Sequence, residues 1–264
     1  MRMANGRLVG LTAGMLAMIG GASAALGNIA YIGVQFYLAN PGNYGSPATP
    51  ALAANQTAGV VPQDNFNPIG LTGGAEATSG TDLALVDAGG NATPVTLSFT
   101  SDSAWWNSAN STPNEILLDG ESKTSGTGNV MTYTLNNVPS GSYDLIVYIL
   151  NDDASLVNAN YTVGATTYYV TEQGGSGIDT GAFTQASNTN SSGPRDVGNY
   201  VEFYGISPSA GSIELSGVSP GGGNANAAVN GFQLLSAPEP ASLAILAVAS
   251  GALLLLRRQR RVGQ

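Results

Sequence analysis

The feature that most constrains this chain is its rhythm. Short β-branched and aromatic runs recur along residues 25–237, each closed by Gly, Pro, Asn or Asp. Residues 143–150 (YDLIVYIL) form the most hydrophobic run and are predicted to be a central strand. Residues 95–99 alternate Val, Leu and Phe with Thr and Ser, the period of a half-buried strand, and residues 130–135 do the same. Residues 29–38, 200–204, 212–215 and 229–235 read as further strands. Residues 161–163 and 167–171 flank Gly164-Ala165 and read as a hairpin. No stretch of this body carries a convincing helical period. The pattern predicts an all-β fold, an antiparallel, jelly-roll-like β-sandwich. Residues 40–80, 174–198 and 219–226 read as loops. The first is long for a compact domain, so it either carries weak strands or wraps the sandwich.

Composition narrows the chemistry. The 264 residues contain no cysteine and no histidine. Disulfides, thiol nucleophiles, histidine metal sites and Ser-His-Asp triads are therefore excluded. Only 9% of residues are charged and 43% are hydrophobic, which argues against disorder of the whole chain. The net charge of −9 is unevenly spread. Residues 25–237 hold two cations, Lys123 and Arg195, against sixteen carboxylates, a net of −14. Such a surface repels phosphate backbones, so nucleic acid is excluded as a partner.

The two ends read differently from the body. Arg2 and Arg7 precede an apolar run over residues 8–19, and Ala22-Ser23-Ala24 fits a small-x-small cleavage site. Residues 1–24 are predicted to be a signal peptide, cleaved after Ala24. At the other end, Pro238-Glu239-Pro240 precedes sixteen apolar or small residues, 241–256, and then Arg257, Arg258, Arg260 and Arg261. As a helix this run spans roughly 24 Å, short for a bilayer core of ~30 Å but accommodated by snorkelling arginines and local thinning. The arginines place the C-terminus in the cytoplasm and the body outside. A single transmembrane helix over 241–256 is thus expected. Motif, span and basic cluster in this order resemble the PEP-CTERM sorting signal of Gram-negative bacteria, across residues 238–264. The resemblance implies processing near Pro238-Glu239-Pro240 by an exosortase-type membrane protease, and an association with exopolysaccharide.

The body also carries a resemblance. Residues 58–67 (AGVVPQDNFN), 138–145 (VPSGSYDL), 198–203 (GNYVEF) and 229–234 (VNGFQL) together resemble a β-sandwich domain of exported proteins in planctomycete- and verrucomicrobia-like bacteria. That domain is similar to galactose-binding-like, jelly-roll carbohydrate-binding modules. Its motifs are mainly structural and imply fold more than activity.

Trp105 and Trp106 are the candidate glycan contacts, because flat aromatic faces stack on sugar rings. Neighbours on a strand point to opposite faces, so one would fill the core and the other face solvent; two packing residues at a sheet rim is the plainer reading. Tyr44, Phe66 and Tyr204 are weaker candidates of the same kind. Asn151-Asp152-Asp153, after the strongest strand, is a candidate structural Ca²⁺ ligand set, with a solvated acidic turn as the default. Asp119-Gly120-Glu121 reads as a turn. Lys123 and Arg195 suit a carboxylate sugar or, more simply, surface ion pairs. No motif selects a pair of glycosidase carboxylates.

The expectation is a non-enzymatic, exported surface or extracellular-matrix protein with no cofactor. It would be anchored through its tail and associated with polysaccharide. A true carbohydrate-binding module and a carboxylate-dependent glycan hydrolase or lyase are the alternatives.

Overall fold

The computed structural model describes residues 31–40, 42, 48–75, 77–107, 110–153, 156–174, 180–221 and 226–237. The signal peptide with Ala22 and Ala24, Tyr44, the Pro238-Glu239-Pro240 motif, the apolar run 241–256 and the arginine cluster lie outside these residues. No helix among the described residues is long and apolar enough to cross a membrane.

In chain order the elements are β1 (Ile32–Asn40), β2 (Asn67–Thr72), β3 (Thr78–Val86), β4 (Ala92–Ser101), β5 (Ser103–Trp106) and α1 (Pro113–Asp119). Then follow β6 (Gly120–Lys123), β7 (Val130–Asn136), β8 (Tyr143–Tyr148), β9 (Val157–Val163), β10 (Thr166–Glu172) and β11 (Asp196–Gly198). The chain closes with β12 (Tyr200–Ile206), β13 (Ile213–Val218), β14 (Ala228–Val229) and β15 (Gly231–Ser236). One sheet has the order β12-β8-β15-β1-β2 and a second β11-β10-β9-β13-β7-β4-β3, with β14-β6-β5 as a small third sheet. The fold is all-β and sandwich-like, as the strand rhythm predicts. β8 is flanked on both sides, and Gly164-Ala165 turns between β9 and β10.

The core lies between the two large sheets. Alternate residues of β1 (Val34, Phe36, Leu38) meet Leu97 and Phe99 of β4, Tyr133 of β7 and Leu215 of β13 in one cluster. Phe36 sits 5.3 Å, centroid to centroid, from both Phe99 and Tyr133, at tilted and edge-on angles that suit aromatic quadrupoles. The five-stranded sheet is covered on its other face too. There Leu52, Ala58, Phe66, Leu117, Ile146, Tyr148 and Leu235 form a second cluster. This double covering explains why β8 and β15 are buried at nearly every residue rather than at alternate ones. Gln35 ties the layer down: its Nε2 donates to Pro50 O (3.1 Å) and Ile116 O (2.8 Å), and its Oε1 accepts from Leu52 N (2.8 Å).

Four expectations are corrected here. The sandwich is not purely antiparallel, because β1 pairs with β2 and β10 with β11 in parallel. Both pairs are joined by the long connections that parallel pairing demands. Residues 40–80 are not one loop but carry β2 and the start of β3, and 174–198 holds β11. β2 and β11 are short edge strands, whose half-exposed sequences lack a clear two-residue period. A helix exists as well. Thr112 caps α1 by accepting from Glu115 N, Glu115 reaches back to Thr112 N, and Pro113 starts the helix. The Thr112-Pro113-Asn114-Glu115 capping box is its sequence signal, but seven residues are too few to show a helical period.

Candidate functional site

The β5–β6 pair builds the site. Ser103 lies opposite Lys123, and Trp105 opposite Glu121. Opposed residues share a face, so these four project to one side. Ala104, Trp106 and Ser122 project to the other, into the core. Ala104 is buried there, Trp106 packs against the main cluster, and Ser122 accepts from Tyr133 Oη at 2.8 Å. Alternation thus separates the two tryptophans by what they touch, although their rings still run near-parallel at 5.7 Å and 16°.

On the first side lies a cleft of about 350 Å³ lined by Ser103, Trp105, Lys123, Asp152, Asp153 and Asn226, among others. The end of β8 delivers Asp152 and Asp153, and the chain entering β14 delivers Asn226. Lys123 forms the floor. Its Nζ pairs with Glu121 Oε1 at 3.2 Å and with Asp152 Oδ1, and lies 5.5 Å from the Trp105 ring centroid. The lysine is 3% exposed and Glu121 is fully buried. Burial opposes the Lys123 charge, but the Glu121 and Asp152 carboxylates override it and raise the pKa of the ammonium. The ion pairing expected for Lys123 is present, but it is buried rather than at the surface.

Behind the cleft Asn151 is turned inward. Its Nδ2 donates to Glu172 Oε2 and Asn226 O, both at 2.7 Å, and its Oδ1 accepts from Asp153 N at 3.0 Å. Glu172 is fully buried and also bonded by Tyr161 Oη and Ala228 N; burial pushes its carboxyl up to about 8. Asn151 therefore turns inward while Asp152 and Asp153 line the cleft, and the three do not form one ligand set. No group of three or more acidic side chains suited to a metal occurs among the described residues.

Three sequence candidates, Trp105, Lys123 and the 151–153 acidic run, meet in this one cleft. The others do not. Phe66 is buried in the second cluster. Tyr204 is 63% exposed, donates to Glu202 Oε2 at 2.7 Å and stands apart on β12. Among the described residues Arg195 makes no ion pair; its Nη1 donates to Ala159 O and Val170 O, and its guanidinium lies 5.7 Å from the Tyr169 ring. Sequence reasoning missed Glu121 and Glu172 as interior groups. The Glu-x-Lys spacing of β6 was the available signal, since residues two apart on a strand share a face.

No protein-family model matches the chain, and no curated protein matches it. Among solved structures, the CBM36-1 domain of a multidomain xylanase from the hindgut metagenome of Trinervitermes trinervoides overlays 46% of this chain and 81% of its own (14% identity, TM-score 0.29). TmCBM61 in complex with beta-1,4-galactotriose overlays 55% of this chain and 90% of its own (13%, 0.28). An exo-beta-1,3-galactanase from Phanerochaete chrysosporium with galactose overlays 57% of this chain and 32% of its own (18%, 0.28). At these scores the overlays carry no functional argument, which rests on the cleft residues themselves.

Proposed function

We propose that the chain is an exported, non-enzymatic surface protein whose jelly-roll-like sandwich binds polysaccharide at the Trp105 cleft. The observation that carries this reading is the meeting of a half-buried indole with hydrogen-bonding carboxylates and an amide in one open cleft. The indole offers an apolar face for a sugar ring, and Asp152, Asp153 and Asn226 offer partners for its hydroxyls. Glu121 and Asp152 are both held by Lys123, which suits a binding site better than a pair of glycosidase carboxylates. A glycan array probed with the protein tests the reading. Trp105→Ala is expected to weaken binding by ~10-fold or more, the worth of one aromatic–sugar stack, whereas Tyr204→Ala leaves it unchanged. Binding that survives Trp105→Ala undiminished would place the ligand elsewhere. Turnover of a bound glycan would replace binding with catalysis.

Delivery rests on the two ends. The N-terminal run exports the chain, and the tail of 238–264 holds it in the membrane with the body outside, until an exosortase-type protease acts near Pro238-Glu239-Pro240. Deleting residues 238–264 is expected to move the body from the membrane fraction to the periplasm or medium. A truncated chain that still sediments with membranes would sink the anchor.

A further inference from the structure

Lys123 is placed as a nucleophile as well as a cation. Its Nζ touches Asp152 Oδ1 and lies 3.2 Å from Glu121 Oε1. Glu121 Oε2 in turn accepts from Asp152 N at 3.2 Å, which braces the segment that carries Asp152. An amine, a carboxyl group in reach of it and a second carboxyl are thus held together. The Lys123 side chain is 4% exposed and that of Glu121 is fully buried, with the Trp105 ring 5.5 Å from Nζ. Asp152 keeps a partly exposed edge on the cleft. Amines and carboxylates do not condense when free in water. Fixed contact changes that, since effective molarities of ~10⁵ M or more arise when reacting atoms are held in place. Exclusion of water suppresses the reverse hydrolysis. Condensation also removes one positive and one negative charge from a site where both are desolvated.

We propose that Lys123 and Asp152 condense to an isopeptide cross-link within the chain, with Glu121 as the catalytic acid–base. The ion pair described above is the reactant state. Glu121 takes a proton from the ammonium, and the freed Nζ lone pair attacks Asp152 Cγ. The Nζ–Cγ bond forms and one Cγ–O bond breaks. Of the three ammonium protons, one stays as the amide N–H and two leave with the Asp152 oxygen as water. Glu121 delivers one of those two and ends as it began, so no oxidant or co-reactant is needed. Water departs through the open edge at Asp152. The bond would join β6 to the segment after β8, positions 29 residues apart, and so tie the small third sheet to the five-stranded one. A chain without cysteine has no disulfide to do this. The cross-link does not depend on what the Trp105 cleft binds.

The test is mass spectrometry of the full-length protein, incubated folded at neutral pH, then denatured and digested with trypsin and chymotrypsin. Lys123 and Asp152 are expected in one branched fragment, lighter by one water than the two linear fragments together. Trypsin should not cut after Lys123. Asp152→Asn is expected to form the same bond with loss of ammonia in place of water. Glu121→Gln, which keeps the shape but cannot carry the proton, and Lys123→Arg, which lacks the amine, are expected to give linear fragments of full mass. The parent protein decides the matter even if a variant fails to fold. Separate linear fragments of full mass from the parent, with trypsin cutting after Lys123, overturn the proposal. A water loss that persists in Lys123→Arg overturns it too, because the dehydration then lies elsewhere. Complete cross-linking of Glu121→Gln overturns the role given to Glu121.

Discussion

Lys123→Ala is expected to lower the unfolding free energy by about 3–5 kcal/mol, because it leaves two carboxylates without their shared cation. Glu121 is fully buried and the Asp152 side chain is 20% exposed, so solvent cannot replace the ammonium at Glu121. The loss is one of desolvated charge, not of packing alone. Replacing Lys123 by Met together with Glu121→Gln and Asp152→Asn discharges the cluster and should recover most of the loss, as buried ion pairs replaced whole often do. Guanidinium unfolding followed by tryptophan fluorescence reads both variants, and Trp105 beside Lys123 reports locally. A single variant within ~0.5 kcal/mol of the parent would mean the cluster is wetted rather than sealed.

The second large effect is a pH dependence centred on Glu172. Burial is the main cause that lifts its carboxyl from 4.5 to about 8 in the folded protein. The hydrogen bonds oppose it, since Tyr161 Oη, Ala228 N and Asn151 Nδ2 all donate to Glu172 and favour the carboxylate, but burial outweighs them. A carboxyl whose folded pKa is raised binds its proton more tightly in the folded state. Its contribution is therefore fully present below 4.5 and is lost as pH rises through about 8. Over that window stability is expected to fall by up to ~1.4 kcal/mol per pH unit relative to Glu172→Gln, which cannot ionise. The quantity to measure is the difference between the two proteins, since other carboxylates titrate in both. A difference that stays constant from acid to neutral pH would show that Glu172 is hydrated and ionised in the native state.

Both effects come from groups whose burial is hidden in the sequence. β6 reads Gly120-Glu121-Ser122-Lys123, which by composition is a surface turn, yet all four residues are buried. Two circumstances permit this. Glu121 and Lys123 neutralise one another on one face of the strand, while Ser122 joins the Tyr133 and Ser101 hydroxyls on the other. The partners that complete each set, Asp152 and Tyr133, arrive from segments distant in sequence. β10 is similar. Its alternation is legible, but Glu172 falls on the buried side and survives there only because Tyr161, Asn151 and Ala228 meet it.

The tryptophans show how far local reasoning reaches. Strand alternation alone predicts that one of Trp105 and Trp106 faces the core. Which one does is set by β6, whose register with β5 puts Trp106 and Ser122 on the core side and Trp105 with Glu121 and Lys123 on the other. The acidic run 151–153 was visible as a cluster, but its use was not. Asn230 donates to Leu118 O and accepts from Leu150 N, holding the neighbouring chain so that Asn151 turns inward.

The all-β character of the body, the main strands of its core, and an acidic composition without histidine or cysteine chemistry were legible before any folding was considered. Those properties are written in short-range periodicity and composition, which neighbouring residues carry between them. The parallel edge pairings, the covering of the five-stranded sheet on both faces, and the cleft where Trp105, Lys123 and Asp152 meet emerge only in the folded chain. Those depend on which distant segments exclude water from one another, and a charge or an indole acquires its role only when that exclusion is complete.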